Sequence, residues 1–576
     1  MRDGLLNVPT RSTGRLTRRE ALRSLGIAGL GVALLSACGQ PPLPRAPAET
    51  PQSVAAASKP AEATKAAAGS PKDGGTFRLF LHTENAPTLD PYLNISFRTQ
   101  EFAAFFYSRL LMPKKAPGIA GMAYDFEGDL AESWNASDDG LMYTFTLRPD
   151  AKWHNRPPVN GRPVTAQDVV WSYERFVRLS PEKDRFDYVA TVTAPNDRTV
   201  VFQLKDVYAP FENAIGAPYF WIMPNEVVEQ DGDASKRVIG SGPFIFDRYE
   251  SGVGFFGKKN PTYHRKGEPH VDEIAALIIP DVATQVASMR AKELDGAEVE
   301  QQDLDSLKQS VPSIQIVEVE YNYNPAIYWK VDKPPFNDVR VRQAVSMCIN
   351  RDEFITATYN GRGGWNTSLP WALPGWWLDP RGPDFGPNAR YFKYDPAESR
   401  KLLAAAGYPD GLKVDMISTP GYGQAWVQRV ELMQQYLKTG GIDCNIKMQE
   451  YSVYISTTRL GKFEGGNVLV FGPMGNFNEP HEFFFIQYHP KGPRNGGNVN
   501  DPKLTQMIEK QARTLDKADR KQQIYDIQRY LAEQMYYPPT AAGFRSMAYQ
   551  SYVRNAYTRT DFGLGSEVIP KLWLDK

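Results

Sequence analysis

Hydrophobic positions change period repeatedly along this chain, and the changes predict its elements. Over residues 141–148, Tyr143, Phe145 and Leu147 alternate with Thr144 and Thr146, the pattern of a strand with one buried face. Asp138, Asp139 and Gly140 precede it and predict a hairpin tip, because Asp bonds its own backbone and Gly accepts positive φ. Residues 199–204 alternate in the same way and are the expected partner strand. Thr165 with Asp168 three positions later has the spacing of a capping box, and Val169, Val170, Tyr173 and Phe176 then share a helix face. A helix is expected over 99–111, behind a strand that alternates Thr76, Arg78 and Phe80 with Phe77, Leu79 and Leu81. Further on, strands are expected over 314–319, 413–418 and 443–449, and helices over 424–438 and within 394–411, the latter capped and ending in Gly407. An apolar strand ending at Phe471 leads into a loop expected to run to residue 485. Such alternation of strand and helix predicts an α/β fold.

The amino terminus follows a different pattern. Arg2, Arg11, Arg15, Arg18, Arg19 and Arg23 precede an apolar run over 24–37 that is too short to span a bilayer, so residues 1–37 are expected to be a signal peptide. Thr17 to Arg23 resembles a twin-arginine export pattern with Ala21 in place of the usual Phe, and Sec export stays open. Leu35, Ser36, Ala37, Cys38 resembles a lipobox, which implies a diacylglycerol on Cys38. Residues 38–72 are rich in Pro and Ala without periodicity and are expected to form a disordered tether.

The whole chain of 576 residues carries 66 basic and 66 acidic side chains, and cleavage after residue 37 would leave 60 against 64. That balance gives no support for nucleic-acid binding. Its length exceeds what one core usually supports, so two or more lobes are expected. Cys348 and Cys444 lack metal-ligand spacing and are expected to be buried thiols. Gly252, Gly254 and Gly257 satisfy G-x-G-x-x-G, but Lys258, Lys259, Asn260, Pro261 cannot open the helix that would hold a phosphate. His481 and Glu482 begin H-E-x-x-H, and Phe485 occupies the second His position. No catalytic, metal or cofactor site is therefore expected.

The stretch W-x-x-S-x-D-G-x-x-Y-T-F-x-L-R from Trp134, then Lys152, Trp153, His154, then P-V-T-A-x-D-V-V-x-S from Pro163, resembles the signature of the family 5 extracytoplasmic solute-binding proteins of ABC importers. The segments GSGPF from Gly240, NPTYHRKGEPHVDEI from Asn260 and YDPAESRKLLAAAGYPDG from Tyr394 match the same family. The resemblance implies an α/β two-lobed periplasmic-binding-protein-like fold (type II, cluster C) with an extra subdomain over 120–235 in the first lobe. Lobe I would then comprise 73–320 and 537–576, and lobe II 321–536. It also implies a monomeric lipoprotein without enzymatic activity, anchored on the outer face of the cytoplasmic membrane. Such a protein closes on a peptide-sized solute and hands it to permease subunits and their ATPase. A lipid-anchored hydrolase of sugars or peptides is the alternative.

The resemblance and the loop positions nominate Asn85, Asn324, Trp371, Tyr422, Arg459, Asn476, Phe477 and Glu479 as solute contacts. In the family's peptide receptors an Asp before an aromatic and N-E-P grips the peptide ammonium. Here Asn476 holds that position and cannot neutralise a buried charge, which argues for a neutral or otherwise differently charged solute. Arg459 could meet a carboxylate, an exposed helix position being the plainer account of it. Trp365, Trp371, Trp376 and Trp377 could stack on a ligand or form their loop's own core.

Overall fold

A computed structural model describes residues 70–82, 85–116, 125–373, 375–475, 477–559 and 563–576. The leader, Cys38, nearly all of the tether and Asn476 lie outside the described residues. Among those described, no helix is long and apolar enough to cross a membrane.

Three sheets organise the chain. The largest has seven strands in the order Gln315–Glu320, Phe544–Tyr549, Gly296–Glu298, Thr76–His82, Glu273–Ile278, Gly254–Lys259, Phe244–Glu250. Helix α1 (Phe97–Phe106) packs on it, capped by the Ser96 hydroxyl, which accepts from the Thr99 N–H. The expected helix over 99–111 thus ends five residues early. Tyr107 turns extended, and Leu111–Pro113 is a short strand paired with Phe126–Gly128. The physical reason is crowding: a Cβ on Gly240 would sit 1.9 Å from the Phe106 carbonyl oxygen, so the backbone of the GSGPF segment lies directly on the helix end.

That segment is held by the signature stretch. His154 is fully buried, its Nδ1 accepts from the Gly240 N–H at 3.2 Å, and its Nε2–H donates to the Gly242 carbonyl at 3.1 Å. Burial pushes this imidazole down to about 4, so it is neutral. The second sheet, antiparallel, has the order Ala131–Ala136, Met142–Leu147, Thr199–Leu204, Val189–Asn196. Tyr143, Phe145 and Leu147 are buried as their alternation predicts, and Phe145 pairs with Val200. Helix α2 (Ala166–Leu179) covers this sheet, and its Thr165/Asp168 capping box is formed.

The third sheet holds strands β1 (Pro325–Tyr328), β2 (Leu412–Ser418), β3 (Ile442–Met448) and β4 (Val468–Pro473), in the order β1-β4-β2-β3. β2 runs parallel to β3 and β4, while β1 is antiparallel to β4. Residues 480–488, expected partly as loop, are helix α3 (Pro480–Tyr488), followed by α4 (Pro502–Ala512) and α5 (Lys517–Gln534). The chain passes from the large sheet to the small one through Tyr321–Asn324 and returns after α5. The two passages lie side by side: Ile327 N–H donates to the Pro538 carbonyl and Tyr321 N–H to that of Gly543, both at 3.1 Å. Cys348 and Cys444 are buried free thiols.

Candidate functional site

Strands β2, β3 and β4 are parallel, so their carboxyl ends lie together, and the antiparallel β1 begins at that same edge. The connections meeting there are 321–324, 419–423, 449–451 and the described residues 474–475 and 477–479. Such an edge is the usual ligand position of an α/β sheet.

Arg459 faces this edge from a 3-10 turn (Thr458–Leu460) and is 8 % exposed, so the exposed-helix account of it fails. It lies against the Tyr328 hydroxyl, and its charge also acts on Tyr422 and Tyr454. Burial raises the pKa of all three phenols, and Arg459 partly offsets that rise. Among the described residues Arg459 has no carboxylate within 4 Å and no backbone carbonyl that it donates to. The rings are tightly placed: Tyr422 meets Tyr451 and Tyr454 edge to face at 5.6 and 6.2 Å. Only glycine fits at 472, where a Cβ would sit 2.1 Å from the Tyr454 hydroxyl.

The other lobe contributes Arg98. It lies in the first turn of α1, its guanidinium 5.2 Å over the Tyr451 ring, and its charge also lowers the Tyr422 pKa. A second group of polar atoms surrounds Asn324, which is 2 % exposed. Its side-chain amide donates to the Thr367 and Ser368 carbonyls, at 3.2 and 3.4 Å, and its backbone carbonyl accepts from the Met474 N–H. Asn324 Oδ1, Ser368 Oγ and Trp371 Nε1 are buried and lack partners. Trp371 is half-buried with its ring edge-on to Phe544 at 5.3 Å.

The remaining nominated residues are engaged elsewhere. Phe477 points inward, 1 % exposed, edge-on to Phe483 at 5.1 Å and below Arg494. Glu479 caps α3 by accepting from the His481 N–H and pairs with Arg520 of α5. Asn85 is exposed and joins the hairpin of the large sheet, accepting from the Tyr249 hydroxyl and the Gly252 N–H at 3.0 and 2.9 Å. Sequence reasoning missed Arg98, Tyr328, Tyr451, Tyr454 and Ser368. Arg98, Tyr328, Tyr451 and Tyr454 sit in ordinary helix or strand patterns and Ser368 in a loop, and only the meeting of distant segments distinguishes them.

Among the described residues no group of histidine, cysteine and carboxylates is arranged to hold a metal ion.

Comparison with known proteins follows the same lines. Heme-binding protein A of Haemophilus influenzae is 28% identical over 413 residues, covering 66% of this chain and 70% of the relative. Di/tripeptide-binding protein 1 of Pseudomonas aeruginosa is 27% identical over 475 residues, covering 76% and 84%. The structure of the ABC transporter-associated periplasmic binding protein DppA from Helicobacter pylori, in complex with the peptide STSA, superposes with a TM-score of 0.76 at 23% identity, covering 88% of this chain and 99% of that one. The fold is therefore that of the periplasmic binding proteins, two-lobed as the resemblance implies. Residues 125–495, more than half of the chain, match the model of the bacterial extracellular solute-binding proteins, family 5 Middle, and the chain belongs to that family.

Proposed function

We propose that this protein is the extracytoplasmic receptor of an ABC importer, anchored through Cys38, and that it closes its two lobes on a peptide-sized solute and presents the closed form to a permease. The observation that carries the reading is the convergence at the carboxyl edge of the small sheet. Loops from one lobe and Arg98 from the other meet there and leave Asn324, Ser368 and Trp371 with polar atoms that a solute can satisfy. The side-by-side passages near Tyr321 and Gly543 are the natural hinge, since few residues need to change φ and ψ. Closure then follows from a solute that bonds better to the closed arrangement than to the open one. Relatives named for heme, dipeptides and tripeptides support a solute of that size.

Native mass spectrometry of the purified full chain, gently desalted and then denatured, tests this. The expected result is a small noncovalent mass that is released on denaturation and raises the melting temperature when added back. Consumption of that compound by the protein would contradict the receptor reading.

A further inference from the structure

The two lobes also meet on residues outside the carboxyl edge of the small sheet. The turn that follows α2 (Lys183–Phe186) and the segment after strand Thr199–Leu204 face α3, α4 and the residues that follow each of them. Four charged side chains cross this seam in alternating sign. Glu482 accepts from Arg185 Nη1, Arg185 Nε donates to Glu182 at 3.1 Å, and Arg494 Nη2 donates to the other Glu182 oxygen at 2.8 Å. Glu182, Arg185 and Glu482 are buried, and the Arg494 side chain is 12 % exposed. Burial alone would raise the Glu182 pKa, but the two guanidinium groups outweigh it and hold the carboxylate below its usual range. The inner two members of the chain come from one lobe and the outer two from the other, so neither lobe completes it alone.

The seam has the character of a surface that parts and rejoins. Interfaces that move within a chain are polar, whereas permanent ones are apolar and closely packed. This one is charged through its middle. A cavity of about 220 Å³ lies in it, lined on one side by Asp184, Arg185 and Tyr188 and on the other by Glu482, Phe485 and Glu509. Flanking contacts set its register: Ala209 N–H donates to the Ala512 carbonyl at 2.7 Å, the Tyr208 ring stands edge-on to His481 at 5.5 Å, and Arg513 pairs with Asp206 at the surface. Both outer members are tied to the solute edge. Arg494 lies over the Phe477 ring at 5.3 Å, and Glu482 sits in the first turn of α3, whose cap Glu479 ends the loop at that edge.

Building on the capture reading above, we propose that the antiparallel-sheet part of the first lobe is a closing jaw, and that the chain Glu482, Arg185, Glu182, Arg494 is an ionic latch that forms as the lobes close and sets how long the solute stays, without touching it. In the open form water hydrates all four groups. In the closed form a missing partner leaves its neighbour buried and unpaired, which opposes closure, so the lobes close tightly only with all four in register.

Locking the seam and loosening it test the proposal on the full chain. Ala209→Cys with Ala512→Cys places two thiols where the backbones already bond, and oxidation then fixes the seam covalently. Small-angle X-ray scattering, which needs no solute, should show the oxidised protein more compact than its reduced form. The solute that co-purifies with the chain, followed by native mass spectrometry during dialysis, should leave the oxidised protein at least about tenfold more slowly than the reduced one. Arg185→Gln and Glu482→Gln should release it at least about tenfold faster than wild type. Arg185→Lys, which keeps the charge, should recover part of that loss, and Arg513→Ala, at an exposed pair, should stay within about threefold of wild type. Equal compactness of oxidised and reduced forms would overturn the proposal, because the seam would then be permanent, and so would wild-type release from Arg185→Gln and Glu482→Gln. Were no mass to co-purify, that result would count against the capture reading, and scattering alone would decide the jaw, compaction supporting it and equal compactness overturning it. Unliganded melting temperatures verify that each variant folds.

Discussion

The cluster around Glu567 and the pocket around Arg459 are both built on buried arginine, and they differ in what the guanidinium finds there. Glu567 is fully buried between Arg109 and Arg559, and burial, which would raise its pKa, is overcome by those two charges so that it stays ionised. Arg109 also donates to the Gly216 carbonyl at 2.7 Å and stacks over Trp221. Two guanidinium groups share one carboxylate there, and the cluster holds the carboxyl-terminal segment on α1. Arg459, 8 % exposed, instead lies against the Tyr328 hydroxyl with no carboxylate within 4 Å among the described residues. The difference teaches that burial of charge alone does not mark a binding site, since Arg351 too is buried without a carboxylate and is satisfied by backbone carbonyls.

Removing compensation should produce the largest effect. Glu567→Ala leaves two buried guanidinium groups facing each other and is expected to cost about 3–5 kcal/mol in urea unfolding. Glu567→Gln should recover part of that loss by keeping the hydrogen bonds.

Acid sensitivity separates the regions further. Burial pushes His481 down to about 3 and His154 to about 4, so the unfolded chain takes up protons before the folded one as pH falls below 6.5. Each histidine therefore contributes stability that is fully present above pH 6.5 and lost on acidification towards its folded value, by about 1.4 kcal/mol per pH unit. Glu101, raised by burial to about 7, acts in the opposite sense between pH 7 and 4.5. Comparing wild type with His481→Gln cancels that contribution, and the variant should lose one proton's worth of slope between pH 6.5 and 4 in melting experiments.

Arg459→Gln sharpens the contrast from the other side. It should change unfolding free energy by no more than about 1 kcal/mol, in either direction, because no buried counter-charge is abandoned. A loss comparable to that of Glu567→Ala would show a structural counter-charge for Arg459. The smallest effect is expected at Arg513, whose pair with Asp206 is exposed on both sides: Arg513→Ala should cost no more than about 0.5–1 kcal/mol and be indistinguishable from wild type in high salt.

The sequence revealed the scaffold well where local chemistry decides it. The Tyr143–Leu147 alternation, the Thr165 capping box and the Asp139–Gly140 tip all form as their residue types dictate. Helix ends were less legible, because contact from distant segments sets them. Nothing within residues 99–111 announces that Gly240 will press on Phe106, and Glu479 gives no local sign of meeting Arg520. The site was partly visible in the loops after β2 and β4. Arg98, Tyr451 and Tyr454 were not, since their role arises only where separate segments meet, and the burial of Arg459 contradicts what a polar turn suggests.

Hydrogen–deuterium exchange of the full chain, with and without the solute that co-purifies with it, tests capture between the two lobes directly. The account predicts simultaneous protection of 321–324, 419–423, 449–460 and the start of α1, because the solute draws both lobes onto the carboxyl edge of the small sheet. Protection confined to one lobe, or to segments away from that edge, would contradict it.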